Sequence, residues 1–430
     1  MTQQGHGRLR RLGVLAAAPA LGALTLAACG GGDDNASASG SGGAADSFTF
    51  AFENASGGAE NPWLILAEEY SEEIGVEIET NPLPPDSYGL TMRTQLQGGN
   101  APTLMMFAPG SGQSSSVIPL AEAGYLEPLG EEAASLVPEG SESQFGIDGE
   151  IYAQPTSLIP VGVTWNVGAA EEAGVEYPED FDAYLEACQS LADQGKSMAV
   201  IAGAVPPNPG LMAMAISATR VYAETPDFND QLAAGDASFA ESEGWQDTLE
   251  TIVEMNEAGC FQPGAPGAGF DGITQGITQG TSLSAFLPGT AANELANATP
   301  GLELDTRAFP PADGDPYLLA SPNYVLSINA DAEEAQKEAA LDFLNWMSEN
   351  AERVTEVQGG VPITGPGENL NPTYEPVRDL LESGDYAPLP NQGWPNPSVY
   401  GALATGAQGL LTGQGDVQSV LEAMDEAYSQ

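Results

Sequence analysis

The chain has 430 residues, of which 61 are acidic and 10 basic, giving a net charge of −51. Such a surface repels nucleic acid and anionic lipid, so we expect no nucleic-acid partner. The one histidine, His6, lies close to the N-terminus. The rest of the chain therefore cannot form a Ser-His-Asp or Cys-His catalytic system or a histidine metal site, and we expect neither metal nor cofactor.

The acidic charge has two explanations that the sequence leaves open. It could attract a cationic ligand, or it could be a solvated surface suited to saline surroundings. The acidic residues are spread along the whole chain, which favours the second explanation.

The N-terminus predicts export. Three arginines within residues 1–11 precede an apolar run from Leu12 to Ala28 that is short for a membrane span, which is typical of a signal peptide over residues 1–28. The run ends in Leu26-Ala27-Ala28-Cys29, which matches a bacterial lipobox, so we expect lipidation of Cys29. The alternative is an ordinary signal peptide followed by a chance cysteine.

Residues 29–46 are rich in Gly, Ser, Ala and Asp and predict a flexible tether. The protein would then be extracytoplasmic, anchored to the outer face of the cell membrane through Cys29. The remainder, residues 47–430, is too long for one compact core and predicts two domains or lobes.

Two further cysteines, Cys188 and Cys260, form an even pair in an oxidising compartment. Such a pair predicts one disulfide bond, and two buried free thiols are the alternative.

The first half of the chain alternates short apolar runs with helical segments, which predicts an α/β sheet. The expected strands are 47–52, 76–80, 103–107 and 161–166, and the expected helices are 63–74, 88–96, 181–194 and 243–258.

The second half contains the clearest helix, which we expect to begin at Asp331. Its apolar residues Ala335, Ala339, Phe343 and Trp346 fall on one face. The C-terminal section 400–428 predicts two helices separated at Gly413-Gln414-Gly415. The tandem Gly-Ile-Thr-Gln at 272–279 is a local duplication.

Several segments recur in an order that is recognisable as a whole. They are LQGGNAPTL at 96–104, LAEAGYLEPL at 120–129, GEIYAQP at 149–155 with Trp165-Asn166 after it, 280–289, 341–353, and GGVP at 359–362. Together they resemble the extracellular solute-binding proteins of bacterial ABC importers, in the sugar-binding branch (family 1 type). The likeness covers nearly all of residues 47–430.

The resemblance implies a two-lobed periplasmic-binding-protein-like fold (type II) with a multi-segment hinge. Residues 47–156 and 319–358 would form the first lobe, and residues 157–318 and 359–430 the second. The chain would cross between the lobes near Pro155, near Tyr317–Ser321 and near Gly359. We expect a monomer that captures a carbohydrate and delivers it to the transmembrane subunits of an ABC permease.

The resemblance also places a ligand site on loops at strand ends. A sugar requires planar polar partners for its hydroxyls and aromatic rings for its C–H faces. The matching positions are Glu53, Asn54, Phe107, Pro109, Ser157, Asp271, Thr290, Asn323, Tyr324, Trp394 and Tyr400. The chain departs from the pattern at Leu158-Ile159-Pro160, where related sugar binders often carry a polar residue, and this argues against a large, highly polar site.

Some of these residues have a simpler interpretation. Trp394 lies in NQGWPNP, which excludes regular structure, and it is either a loop anchor or a ligand platform; we expect a platform. Trp245 and Trp346 lie on amphipathic helices and are expected in the core, as is Trp165. Glu53 could be a solvated loop charge.

Three other functions compete with sugar binding. A purely structural surface lipoprotein is disfavoured, because the two-lobe order of segments suits capture of a solute. A glycosidase would use two carboxylates, but in so acidic a chain pairs of carboxylates arise by chance, and we expect no enzyme. A binder of another solute, such as a polyamine or an amino-acid derivative, would use convergent acids such as Glu53 and Asp271.

Overall fold

Two β-sheets organise the chain. The computed structural model describes residues 44–53, 61–113, 115–138, 141–322 and 324–430, all of which belong to one compact unit, Gly43–Gln430. The predicted signal peptide, Cys29 and most of the predicted tether lie outside the described residues. Within the described ranges, no helix is both long and apolar enough to cross a bilayer.

The strands are β1 (Ser47–Glu53), β2 (Glu77–Leu83), β3 (Leu104–Phe107), β4 (Gly146–Ile147), β5 (Glu150–Ile151), β6 (Gln154–Pro155), β7 (Ile159–Asn166), β8 (Ser197–Val200), β9 (Ser282–Pro288), β10 (Leu304–Arg307), β11 (Leu318–Ser321), β12 (Val325–Ile328) and β13 (Tyr386–Ala387).

The helices are α1 (Pro62–Ile74), α2 (Pro85–Gly98), α3 (Val117–Glu122), α4 (Glu131–Ala134), α5 (Val167–Ala173), α6 (Phe181–Asp193), α7 (Pro207–Ser217), α8 (Phe228–Ala234), α9 (Glu243–Glu257), α10 (Phe270–Thr278), α11 (Gly289–Ala298), α12 (Glu334–Glu349), α13 (Ala351–Gln358), α14 (Arg378–Ser383), α15 (Pro397–Leu411) and α16 (Val417–Tyr428). A π-helical turn, Ala218–Tyr222, continues α7.

The predicted elements match these bounds closely, and the local causes are visible. Helix α1 begins where Asn61 accepts a hydrogen bond from the backbone N–H of Trp63, and it ends at Gly75 in the left-handed conformation. Helix α12 begins three residues later than expected. The side chain of Asn329 accepts a hydrogen bond from the N–H of Asp331, and this turn delays the helix until Glu334.

The first sheet has the strand order β2-β1-β3-β12-β6. Strands β1, β2 and β3 run parallel, and β12 runs antiparallel to both β3 and β6. Its core is rich in aromatic rings, including Phe50, Phe52 and Phe343, and it contains only residues up to Ala153 and from Val325 to Val354.

The second sheet has the strand order β13-β11-β7-β9-β8, with β10 also pairing with β7. All eight residues of β7 are buried, because three strands flank it and helices cover the sheet. A separate core that includes Trp165, Trp245 and Trp394 lies in this half. The fold is therefore mixed α/β with two lobes, each with its own sheet and core.

The expected lobe bounds differ from the sheets at one point. The family resemblance predicts that Leu319–Ser321 belong to the first lobe, but these residues pair with β7 of the second sheet. We propose that the second lobe continues to Ser321 and that the first resumes at Val325.

A disulfide bond joins Cys188 of α6 to Cys260, which follows α9. Both residues are fully buried in the core of the second lobe. The bond closes a sequence separation of 72 residues. On the chain-entropy model a loop of that length stabilises the fold by up to about 4 kcal/mol.

Replacing both cysteines with alanine is expected to lower the free energy of unfolding by up to about 4 kcal/mol, since the unfolded chain regains the freedom of that loop. Thermal unfolding would show a lower Tm for Cys188→Ala/Cys260→Ala than for the wild type. The wild type unfolded in reductant is the control and should approach the variant. Equal Tm values in all three samples would contradict a stabilising role for the bond.

Candidate functional site

Three short crossovers of the chain join the two lobes. The chain passes from β6 to β7 through residues 156–158, from β11 to β12 through 322–324, and from α13 to the second lobe through 359–360. Connections of two or three residues hold the joined edges close together. The joined strand ends of the two lobes therefore lie next to each other, and we call the region between them the cleft.

Strand directions decide which residues reach the edge of the first sheet. Strands β1 and β3 end there at Glu53 and Phe107, and antiparallel β12 begins there, with Val325 opposite Phe107. Tyr324, just before β12, therefore lies beside the end of β3, one strand away from the end of β1. In open α/β sheets ligands bind outside the carboxyl ends of strands, where the strand order changes direction.

The corresponding edge of the second sheet contains the start of β7 and the end of β9, with Val161 opposite Pro288. Strand β8 runs parallel to β9 and ends at the same edge. The segment before α10 joins that edge, because Ala204 donates its N–H to the carbonyl oxygen of Ala268 (3.0 Å).

The clearest polar contact in the cleft joins Glu53 and Tyr324. The Tyr324 hydroxyl donates a hydrogen bond to Glu53 Oε2 at 3.0 Å. Burial raises the pKa of Glu53, and the bond from Tyr324 opposes that rise. Burial and the neighbouring Glu53 charge together raise the pKa of Tyr324. Glu53 is thus a partly buried acceptor rather than a solvated loop charge.

A second polar cluster ties two crossovers together. Thr156 and Ser157 both donate their hydroxyls to Gln358 Oε1, at 3.0 and 2.7 Å. Leu158 and Val361 exchange two backbone hydrogen bonds of 2.8 Å. Ser157 is 5% exposed, and this contact makes it part of the hinge rather than a group turned to a ligand.

The structure corrects the prediction for Trp394. Its side chain is fully buried in the core of the second lobe. Its ring centroid lies 5.6 Å from that of Phe239 and 6.1 Å from that of Trp245. These contacts lie within one lobe, so Trp394 anchors its loop and offers no face for stacking on a ligand.

Phe107 and Pro109 need the same correction. Phe107 is 1% exposed and packs in the core of the first lobe, and Pro109 is buried. Both positions sit at the predicted strand end, but the side chain of Phe107 turns into the core and that of Pro109 is not exposed. Sequence spacing located the edge and could not give the direction of each side chain.

Two other predicted site residues, Tyr400 and Asp271, lie nearer the surface of the protein. Tyr400 of α15 packs against the second-lobe core and donates its hydroxyl to the carbonyl oxygen of Pro207 at 2.8 Å. Asp271 is exposed in the first turn of α10, beside the half-exposed Phe270. Asn54, Asn323 and the side chain of Thr290 lie outside the described residues.

Sequence reasoning missed Gln358, Asn391 and Gln392. The last two are 8% and 5% exposed, and Gln392 Nε2 donates to the carbonyl oxygen of Pro322 at 3.1 Å, on the second crossover. The sequence signal for Gln358 is its position directly before Gly359-Gly360, at an expected crossover between the lobes. In the structure, a side chain at Gly360 would meet Ser157.

Comparison with known families agrees with this geometry. A family model described as bacterial extracellular solute-binding protein matches residues 66–366. That match covers more than half of the chain, so the protein belongs to this family, as the order of its segments led us to expect. The family and the fold are those of binding proteins. No curated protein sequence matches the chain significantly.

Similar solved structures cover almost the whole chain. A family 1 extracellular solute-binding protein from Bifidobacterium longum subsp. infantis is 16% identical, with a TM-score of 0.69, over 90% of this chain and 100% of that chain. A chitin oligosaccharide binding protein is 18% identical, with a TM-score of 0.73, over 89% and 98%. The protein RafE in complex with raffinose is 18% identical, with a TM-score of 0.68, over 89% and 98%. At these identities the likeness establishes the fold.

Replacing Glu53 with glutamine is expected to raise the Tm at neutral pH, because glutamine can still accept from Tyr324 without burying a charge. Since the pKa of Glu53 is raised in the folded protein, the destabilisation by its charge is present above that pKa and is lost as pH falls. The difference between Glu53→Gln and the wild type should shrink towards about pH 4.

The matched control for this measurement is Glu72→Gln, which alters an exposed glutamate of α1 and should change Tm little at either pH. A Tm difference for Glu53→Gln that is constant, or that grows as pH falls, would contradict the assignment of Glu53 as a buried acceptor.

Proposed function

We propose that the protein captures a carbohydrate between its two lobes and delivers it to the permease of an ABC transporter. The observation that carries this proposal is the pair of sheet edges joined by three short crossovers, with Glu53 and Tyr324 in the cleft. Family membership supports solute binding. The chitin oligosaccharide and raffinose bound by structurally similar proteins support a sugar as the solute.

The chemistry of the cleft also supports a neutral, hydroxyl-rich ligand. A carboxylate such as Glu53 accepts hydrogen bonds from hydroxyls, and the rings of Tyr324 and Tyr400 can pack on C–H faces. Asp271, Asn54, Thr290 and Asn323 remain proposed ligand residues on the same grounds as in the sequence. The carbohydrate would be enclosed as the lobes rotate about the crossovers, so that binding shifts an open–closed equilibrium. The permease would then distinguish loaded from empty protein by shape.

The ligand class can be tested by thermal shift on protein lacking residues 1–29, which keeps the compact unit Gly43–Gln430 whole. The panel would contain raffinose, chitin oligosaccharides, monosaccharides, polyamines and amino acids. A ligand at a hundred times its Kd stabilises the fold by about 2.7 kcal/mol, so a sugar is expected to raise Tm by a few degrees.

Glu53→Ala is expected to lose most of that shift, while the control Glu72→Ala, exposed on α1, should keep it. Stabilisation only by polyamines would reject the carbohydrate and favour a cationic ligand attracted by the acidic surface. A sugar response that Glu53→Ala leaves unchanged would place the ligand elsewhere.

We further propose that the protein is a monomeric lipoprotein anchored to the outer face of the cell membrane. The support is the sequence Leu26-Ala27-Ala28-Cys29 after a signal-like segment, with residues 30–46 as a tether. Anchoring would keep the binding unit concentrated near its permease.

In a bacterial host, the full chain is expected to fractionate with membranes and to incorporate radiolabelled fatty acid, because the lipid is attached to Cys29. The variant Cys29→Ala should lose the label and leave the membrane fraction, and Cys188→Ala/Cys260→Ala serves as the control that retains both. Labelling that persists in Cys29→Ala would exclude the anchor at this position.

A further inference from the structure

The lobes also touch beside the second crossover, where Gln392 donates a hydrogen bond to Pro322. Loop 108–113 of the first lobe lies against segment 390–394 of the second. The N–H of Ser111 donates to the carbonyl oxygen of Gln392 at 3.1 Å, and the Ser111 hydroxyl donates to the carbonyl oxygen of Trp394 at 2.8 Å. We call these two segments the latch.

Two glycines allow the latch to close. A Cβ atom at Gly110 would overlap the carbonyl oxygen of Gln392, and one at Gly112 would overlap that of Asn391. Gly110 also has φ +71°, which favours glycine by itself. Gly112 has no positive φ, so only the neighbouring backbone excludes a side chain there.

Each half of the latch is held firmly by its own lobe. In the first lobe, Gly110 donates its N–H to the carbonyl oxygen of Gln144 at 2.7 Å and accepts from the N–H of Ile118 at 3.1 Å. In the second lobe, Asn229 Nδ2 donates to the carbonyl oxygen of Pro390 at 2.9 Å, and Trp394 is buried in the core. A side chain at position 112 would therefore separate the lobes rather than bend one segment.

The latch is also weak enough to open. Its two hydrogen bonds give only a modest net stabilisation, because opening the contact exchanges them for hydrogen bonds to water. Against them, Asn391 Oδ1 and Gln392 Oε1 are buried with no hydrogen-bond partner among the described residues. Buried acceptors without a partner oppose the contact, and opening it would let water reach them.

We propose that the latch is a conformational device that holds the two lobes closed and sets how often the ligand-free protein opens. Loop 108–113 directly follows β3, whose last residue, Phe107, pairs with Val325 just after the second crossover. Segment 390–394 bonds Pro322 on that crossover, so a side chain inserted in the latch acts at the hinge between the lobes. The proposal requires the two-lobed binding function but does not depend on the ligand being a carbohydrate.

The test is Gly112→Ala, measured by electron-spin distances in ligand-free protein lacking residues 1–29. Spin labels at Leu90→Cys and Phe270→Cys would report on the two lobes, because these side chains are 75% and 52% exposed. The remaining native cysteines are joined in the disulfide and would not take the label. Gly367→Ala is the matched control, since a Cβ there meets open space and its φ is not positive.

We expect the wild type and Gly367→Ala to share a distance distribution, and Gly112→Ala to shift to the population with the lobes further apart. Ser111→Ala, which removes one hydrogen bond without adding bulk, should shift it less in the same direction. The Ser111→Ala variant tests the proposal if Gly112→Ala fails to fold. Affinity for the ligand found by thermal shift should fall on the order of tenfold in Gly112→Ala.

Identical distance distributions in the wild type, Gly112→Ala and Ser111→Ala would overturn the proposal, as would a wild type that already lacks the closed population. Because the distances are measured without ligand, failure of the carbohydrate assignment would leave this result unaffected.

Discussion

The rest of the structure depends on one geometric constraint, which is that three crossovers of two or three residues tie the edges of two separate sheets together. Each lobe has its own core, and the connections between the lobes are short. Thr156, Ser157 and Gln358 hydrogen bond across two of these connections. The rotation of the lobes proposed above would take place at these connections.

Aromatic side chains were used mainly to build the two cores. Trp63, Trp165, Trp245, Trp346 and Trp394 are all at most 8% exposed. Among the predicted ligand residues, Glu53 and Tyr324 form the best defined polar contact. This contact supports the proposed neutral, hydroxyl-rich ligand.

The charged residues, unlike the aromatic ones, lie mainly at the surface. Several of the few basic residues form ion pairs with surface acids, as Arg353 does with Glu69 at 2.6 Å and Lys337 with Glu127 at 3.2 Å. Arg220 instead lies over the rings of Phe181 and Phe309. The remaining acids are scattered over the surface. This distribution agrees with a solvated acidic surface more than with a single cationic site.

The sequence by itself determined the α/β class, most element bounds and the family, because apolar periodicity, helix caps and glycine ends are local properties. It also located Glu53 and Tyr324 near strand ends. Only the tertiary structure decided that Trp394 and Phe107 face their cores and that residues 319–321 belong to the second sheet. It alone brought loop 108–113 against segment 390–394. Side-chain direction and contacts between residues nearly three hundred positions apart depend on how whole lobes pack, and no local pattern encodes them.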